Sequence, residues 1–290
     1  MTSRPAAHTA TTGARSLLPG GVRDDPGRFG GGPAALYCDF ENLVLGTGNG
    51  PTGNTNPVPT KAVTWLCRWY GTASIRRAYA DWSDSRFSRH QTALRDNNID
   101  LIHIPRLTKG AHKNAADIRL AVDAMETLMT HPEVGVFVLV TGDSDYTPLV
   151  GRLREYGKHV IGVGAQASAS SHLVQACSEF KYWATILAQV EPAARPAVAA
   201  TFNIADAEQL LIRAFHALGA DTATAGGLKN KMLALDPSFD EGNYGCTTYR
   251  AFLGRLTHRV RDVGKSGEDR RYQLIEPSDT TLNPSHGTRG

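Results

Sequence analysis

The sequence predicts an α/β protein, a parallel sheet covered by helices, followed by a small and mostly helical second unit. Three observations carry this reading. Short apolar runs bounded by polar or Gly residues recur at residues 35–38, 75–80, 99–104, 134–140 and 159–163, with helical patterns between them. The run Val136–Val140 is apolar throughout, which suits a strand buried on both faces by helices. Beyond Trp183 the texture changes, first to Glu191, Pro192, Arg195 and Pro196 among alanines, then to two amphipathic stripes.

Taken in order, residues 1–33 are rich in Ala, Thr, Gly, Pro and Arg without periodicity and are expected to be a disordered tail, because they bury too little to offset their ordering entropy. The first domain is expected over 34–185. Its first strand ends on Asp39, and Gly, Asn, Pro and Thr over 46–59 mark a long surface loop, a candidate flap close behind it. Ile118, Ala121, Val122, Met125 and Met129 share one helix face, the expected core face of that helix. Residues 186–201 read as a linker and 202–277 as the second unit. There Leu210, Leu211, Ala214, Phe215 and Leu218 form one stripe, and Tyr249, Phe252, Leu253, Leu256 and Val260 another. Leu228, Met232 and Leu233 suggest a middle helix and Tyr272, Leu274 and Ile275 a closing strand, so a winged helix-turn-helix variant is expected, with 278–290 a disordered tail.

Composition narrows the function classes. The chain has 290 residues, 41% of them apolar and 20% charged, as in a soluble globular protein. No apolar run approaches the roughly 18 residues of a membrane span, and no secretory leader is evident, so no membrane association and a cytoplasmic location are expected. Cys38, Cys67, Cys177 and Cys246 are far apart and form no C-x-x-C pair, which favours reduced, mostly buried thiols. The histidines form no H-E-x-x-H pattern, which argues against a zinc hydrolase. The net charge of +3 is compatible with a nucleic-acid partner.

The chemistry lies in acids at strand ends, where a parallel sheet collects its ligands. Asp39 closes the first strand in Tyr37-Cys38-Asp39-Phe40-Glu41-Asn42, and nothing after it resembles a helix start. Asp143 and Asp145 follow the most apolar strand, in Thr141-Gly142-Asp143-Ser144-Asp145-Tyr146. Asp117 opens the helix that carries Ile118. Converging carboxylates raise one another's pKa unless a cation neutralises them. Hard oxygen donors suit Mg²⁺ or Mn²⁺, which activates water and steadies charge on phosphoryl oxygens, so phosphodiester hydrolysis fits this set. A cap competes as the role of Asp145, although Thr147 before Pro148 is the better cap. Asp123 is expected to be solvated or to stand behind the site, and Asn42 can serve as a turn residue.

Together these segments, with Lys113 to Asp117 and the later Gly162-Val163-Gly164, Ser171-His172-Leu173 and Ala176-Cys177, resemble the NYN domain family, a branch of the PIN-like nucleases. The resemblance implies a Rossmann-like PIN fold, a Mg²⁺ or Mn²⁺ site of Asp39, Asp117, Asp143 and Asp145, a supporting role for Asn42, and endoribonuclease activity. Glu41 departs from the small residue the family often carries between its Asp and Asn. Residues 202–276 resemble a LOTUS (OST-HTH) domain, which implies RNA binding or protein docking. Residues 250–271 hold seven basic against three acidic residues, and Arg250, Arg255 and Arg259, with Lys113, are the candidate RNA contacts, Arg255 and Arg259 sharing one side of a helix. Arg76, Arg77, Lys109 and His112 could line the substrate path, and Tyr146 and Trp82 could stack on bases, with core packing favoured for Trp82. Single-stranded or structured RNA is the expected partner, with a protein partner of the second unit and a homodimer left open.

Two other classes compete. One is a non-catalytic adaptor that binds RNA or recruits partners. The other is a small-molecule phosphohydrolase, but a dehalogenase-type phosphatase wants Asp two positions after its nucleophile, where Glu41 stands. A dinucleotide enzyme wants G-x-G-x-x-G after the first strand, which is absent.

Overall fold

The computed structural model describes residues 32–46, 62, 65, 69, 72–105, 114–190, 199, 201–266 and 269–275. The expected tails lie outside these residues, except for Gly32, whose carbonyl accepts the Thr72 N–H, and Pro33, which already belongs to the first strand. The candidate flap is likewise outside, apart from Gly46.

The first unit follows the expected alternation. Strands β1 (Pro33–Asp39), β2 (Thr72–Ala80), β3 (Asp100–His103), β4 (Val136–Val140), β5 (His159–Gly164) and β6 (Glu179–Tyr182) form one sheet in the order β3-β2-β1-β4-β5-β6. Every pairing is parallel. The chain winds outward from β1 to β3, crosses back to β4 and winds outward the other way. The carboxyl ends of β1 and β4 therefore flank the topological switch point, where such sheets open a crevice. In register, Cys38 sits beside Val140 and Asp39 beside Tyr79.

Helices cover both faces, as the apolar strands require. One core layer joins Leu36, Cys38, Val138 and Val140 to Phe40, Leu43, Trp82, Phe87 and Trp183, under α1 (Phe40–Gly46), α2 (Ser85–Ser88), α3 (Gln91–Arg95) and α4 (Trp183–Val190). The opposite layer joins Ala35, Tyr37, Tyr79, Phe137 and Leu139 to α5 (Ala115–Thr130), α6 (Thr147–Glu155) and α7 (Ser171–Ala176). Cys38 and Cys177 are buried free thiols, and burial pushes the Cys177 thiol up to about 12; Cys67 lies outside the described residues.

Several expectations are corrected. β6 was not foreseen, and residues 186–190 continue α4, with Ile186 and Ala188 packed in the core, where a linker was expected. Helix α5 buries Leu120, Asp123, Ala124, Thr127 and Leu128, so the stripe of Ile118, Val122 and Met129 faces solvent and not the core. Asp123 is not solvated. It accepts hydrogen bonds from Tyr79 Oη at 2.8 Å and Arg119 Nε at 2.8 Å, and Arg77 lies 3.3 Å away.

The second unit has its own core. Helices α8 (Ile204–Leu218), α9 (Ala225–Leu235) and α10 (Tyr249–Arg255) pack Leu211, Phe215, Met232 and Phe252 against Tyr272 of a small antiparallel sheet. That sheet runs β7 (Thr222–Thr224), β9 (Asp269–Leu274), β8 (Val260–Ser266) in spatial order. Asn203, Thr224 and Thr248 cap the three helices through side-chain oxygens, and Gly219 ends α8 in the left-handed conformation at φ 63°. The units meet at β6. Phe180 N–H donates to the Pro237 carbonyl at 2.7 Å, Lys181 Nζ bridges Glu179 at 3.2 Å and Asp240 at 2.8 Å, and Thr185 Oγ1 donates to Asn243 Oδ1 at 2.6 Å. Among the described residues, no helix is long and apolar enough to cross a membrane.

Candidate active site

The corner at the ends of β1 and β4 is assembled from backbone outward. β1 runs without a break into α1, so Asp39 does precede a helix start, contrary to the expectation from sequence. Its Oδ1 accepts the Asn42 N–H at 3.0 Å, as a cap would. Asn42 in turn accepts the Gly142 N–H through Oδ1 at 3.1 Å, which ties the β1 corner to the β4 corner. Glu41 Oε1 accepts the Asp81 N–H at 2.9 Å and ties the same corner to the end of β2. A Cβ at Gly142 would come within 3.2 Å of the Ser168 carbonyl and push that neighbour back by a few tenths of an ångström; Ser170 N–H donates to the Gly142 carbonyl at 2.9 Å.

Around this frame the acids gather. Asp39 is buried, and Asp117, on the first turn of α5, is half-buried. Tyr146 links them: its hydroxyl donates to Asp117 Oδ1 at 2.7 Å and lies 3.4 Å from Asp39 Oδ2. Burial raises the Asp39 carboxyl to about 7, against the pull of the Asn42 N–H, and the charges of Asp117 and Glu41 push the same way. Burial also raises Asp117, with Asp143, Asp145 and Glu41 adding to it. Among the described residues, the charges that push this pair up are carboxylates. Burial and the two acids push Tyr146 far above the usual tyrosine range, so its hydroxyl remains a proton donor.

The structure places the remaining candidates unevenly. Asp143 caps the short 3-10 turn Ser144–Tyr146 by accepting the Asp145 N–H at 3.0 Å, and Asp145 is exposed. Thr147, the expected cap, is not one, and its buried Oγ1 lacks a hydrogen-bond partner. Among the described residues, no three His, Cys, Asp or Glu side chains are grouped so as to hold a metal ion. The oxygen donors nevertheless fit a hard cation, since Mg²⁺ commonly takes only one or two protein carboxylates beside water and phosphate. Tyr146 is buried and is no stacking surface, while Trp82 packs in the core 5.2 Å from Phe40.

The basic candidates fare differently again. Lys113, Lys109 and His112 lie outside the described residues. Arg77 is engaged by Asp123, and Arg76 Nη1 donates to the Asn97 carbonyl at 3.2 Å, which removes both from the expected substrate path. Helix α10 stops at Arg255, so Arg255 and Arg259 do not share a helix. Arg255 donates to the Tyr244 carbonyl, Arg259 pairs with Glu208 at 2.6 Å, and Arg250 is exposed. Tyr146 and Glu41 are the site residues whose roles sequence reasoning missed. The position of Tyr146 directly after Asp145, at the start of a helix, was the available signal.

The sequence pattern of the NYN domain matches residues 33–185, just over half of the chain. The chain belongs to the NYN domain family. NYN domains group with the PIN-like nucleases, and the acidic corner lies within the matched NYN segment. An uncharacterized protein of Methanocaldococcus jannaschii is 39% identical over 57 residues, which is 20% of this chain and 23% of that protein. The chain thus spans about a quarter of that curated relative. A solved structure of a protein of unknown function from Vibrio parahaemolyticus aligns over 52% of this chain and 93% of its own, at 22% identity and a TM-score of 0.45.

Proposed function

We propose that this NYN protein is a Mg²⁺- or Mn²⁺-dependent endoribonuclease whose RNA is positioned by the C-terminal unit. The observation that carries the reading is the pair Asp39 and Asp117 beneath one tyrosine hydroxyl at the sheet's switch point, with Asp143 and Asp145 acting on it electrostatically. Asp39 and Asp117, with Asp143 and Asp145, would hold the ion. Bound there, it supplies a Lewis acid that polarises the phosphoryl group and lowers the pKa of water. The chain's own part is to place oxygen donors in a fixed frame. Asn42 and Glu41 lock the strand ends, and Tyr146 holds the buried Asp39 and the half-buried Asp117 towards one space. The three helices and antiparallel sheet of residues 204–274 support a LOTUS-like, winged-helix reading of the second unit, with Arg250 the RNA contact left exposed.

The test is cleavage of end-labelled single-stranded RNA in Mn²⁺, Mg²⁺ or EDTA. Metal-dependent cutting that falls by at least about 100-fold in Asp143→Asn, with an unchanged melt, is expected. Undiminished cutting by the variant would sink the assignment. One observation favours a second reading, an RNA-binding or partner-recruiting adaptor: no group of three acids is arranged for a metal among the described residues. RNA binding without cutting in any ion would select it.

A further inference from the structure

The face of α5 turned to solvent is apolar. Ile118 is 64%, Val122 57% and Met129 67% exposed, and Met125, half-buried, lies between them. At 100° per residue these four fall within about 60° of one another around the helix, a continuous stripe on the side opposite Leu120, Ala124 and Thr127. A stripe of this kind at alternating a and d spacing is the face one helix offers another.

We propose that this stripe is an isologous interface, on which a second copy of the chain lays its own α5 antiparallel across a two-fold axis. The argument is its self-complementarity. The stripe is symmetric about a point between Val122 and Met125, so an antiparallel copy sets Ile118 against the partner's Met129 and Val122 against the partner's Met125. Every central contact is then apolar on apolar. The flank carries the matching charges. Arg119 and Glu126 both stand about 80° to 100° around from Ile118, near opposite ends of the stripe. A two-fold axis perpendicular to the helices keeps them on one side and brings Arg119 towards the partner's Glu126, twice; a parallel pairing puts the two charged flanks on opposite sides of the pair and forms neither contact. Glu126 is exposed, and Arg119, which bonds Asp123 through Nε, keeps 55% of its side chain exposed for a second acid.

Four side chains from each helix cover less than the roughly 800 Å² per partner of a standard interface, so the association is weak and depends on concentration. Asp117 precedes Ile118, so the two acidic corners would lie about 20 Å apart along the helix pair at a rise of 1.5 Å per residue.

The test is sedimentation velocity of the full chain from low to high micromolar concentration, with Val122→Glu and Met125→Lys. Val122 is on the outer face of α5 and Met125 at its edge, packed partly against the core, so a thermal melt checks that each variant is folded. The wild type is expected to shift to dimer with concentration, and each variant alone to stay monomeric. An equimolar mixture of the two variants is expected to recover dimer, because the antiparallel register sets the glutamate of one chain against the lysine of the other. A wild type that stays monomeric throughout overturns the proposal, as does a dimer that persists in both variants. Two monomeric variants that fail to recover on mixing overturn the antiparallel register.

Discussion

Asp117 and Asp123 lie on the same helix, and their surroundings are opposite. Asp123 is buried and bracketed by Arg77, Arg119 and the Tyr79 hydroxyl. Asp117 is half-buried among Asp39, Asp143, Asp145 and Glu41, and its hydrogen bond comes from a neutral phenol. A buried acid whose charge is balanced by the chain itself is a structural group, and it anchors α5 to β2. An acidic cluster held together by burial and a tyrosine stores unfavourable charge, which is stable only while protons or a cation relieve it. The contrast separates the acid that builds the helix from the acid that works at its tip.

The sharpest way to break that contrast is to neutralise each acid in turn. Asp117→Asn is expected to remove metal-dependent cleavage, by about 100-fold or more, while melting stays unchanged or rises, because it relieves repulsion. Asp123→Asn is expected to do the reverse: it leaves Arg77 and Arg119 without their acid and costs about 3 kcal/mol, read as a lower denaturation midpoint, with cleavage retained in the folded fraction. If the two variants lose stability equally, the division of roles is wrong.

A pH series tests the stored charge with a smaller effect. The Asp39 carboxyl stands at about 7 in the folded chain against an ordinary 3.8, so the folded state keeps a proton that the unfolded state has already lost. The sign follows directly. This contribution to stability is fully present below pH 3.8 and is lost as pH rises through about 7, by up to about 4 kcal/mol before any relaxation of the site. Urea melts in EDTA from pH 4 to 8 should show the decline, and Asp39→Asn should flatten it; a wild type that gains stability across the window contradicts the burial of an unbalanced acid. Tyr146→Phe should have the smallest effect, about 1 kcal/mol in the metal-free melt, because it removes a single hydroxyl donor and leaves both carboxylates in place.

Much of this could be read from residues alone. The apolar runs gave β1 to β5, and the acids after β1 and β4, with the one at the start of α5, pointed to Asp39, Asp143 and Asp117 as one group. β6 escaped because Glu179-Phe180-Lys181-Tyr182 is short and carries two charges, which pair with one another and with His159 and Asp240. The core face of α5 was misread for a physical reason. The helix carries two apolar stripes, and periodicity cannot say which one meets the sheet when the buried one also holds Asp123 and Thr127. The start of α1 was hidden because Asp39 serves both as strand end and as cap. The pairing of Arg259 with Glu208 joins residues distant in the chain, and no local pattern announces it.

Strand β6 ends the sheet, and a bare edge strand offers its unpaired N–H and C=O groups to any other chain. Here the second unit takes up that edge: Pro237 accepts the Phe180 N–H, and Asp240 claims Lys181. The edge that β6 would otherwise leave open is thus covered in part by residues of the C-terminal unit, so the boundary of the first sheet is set by a segment that follows it in the chain.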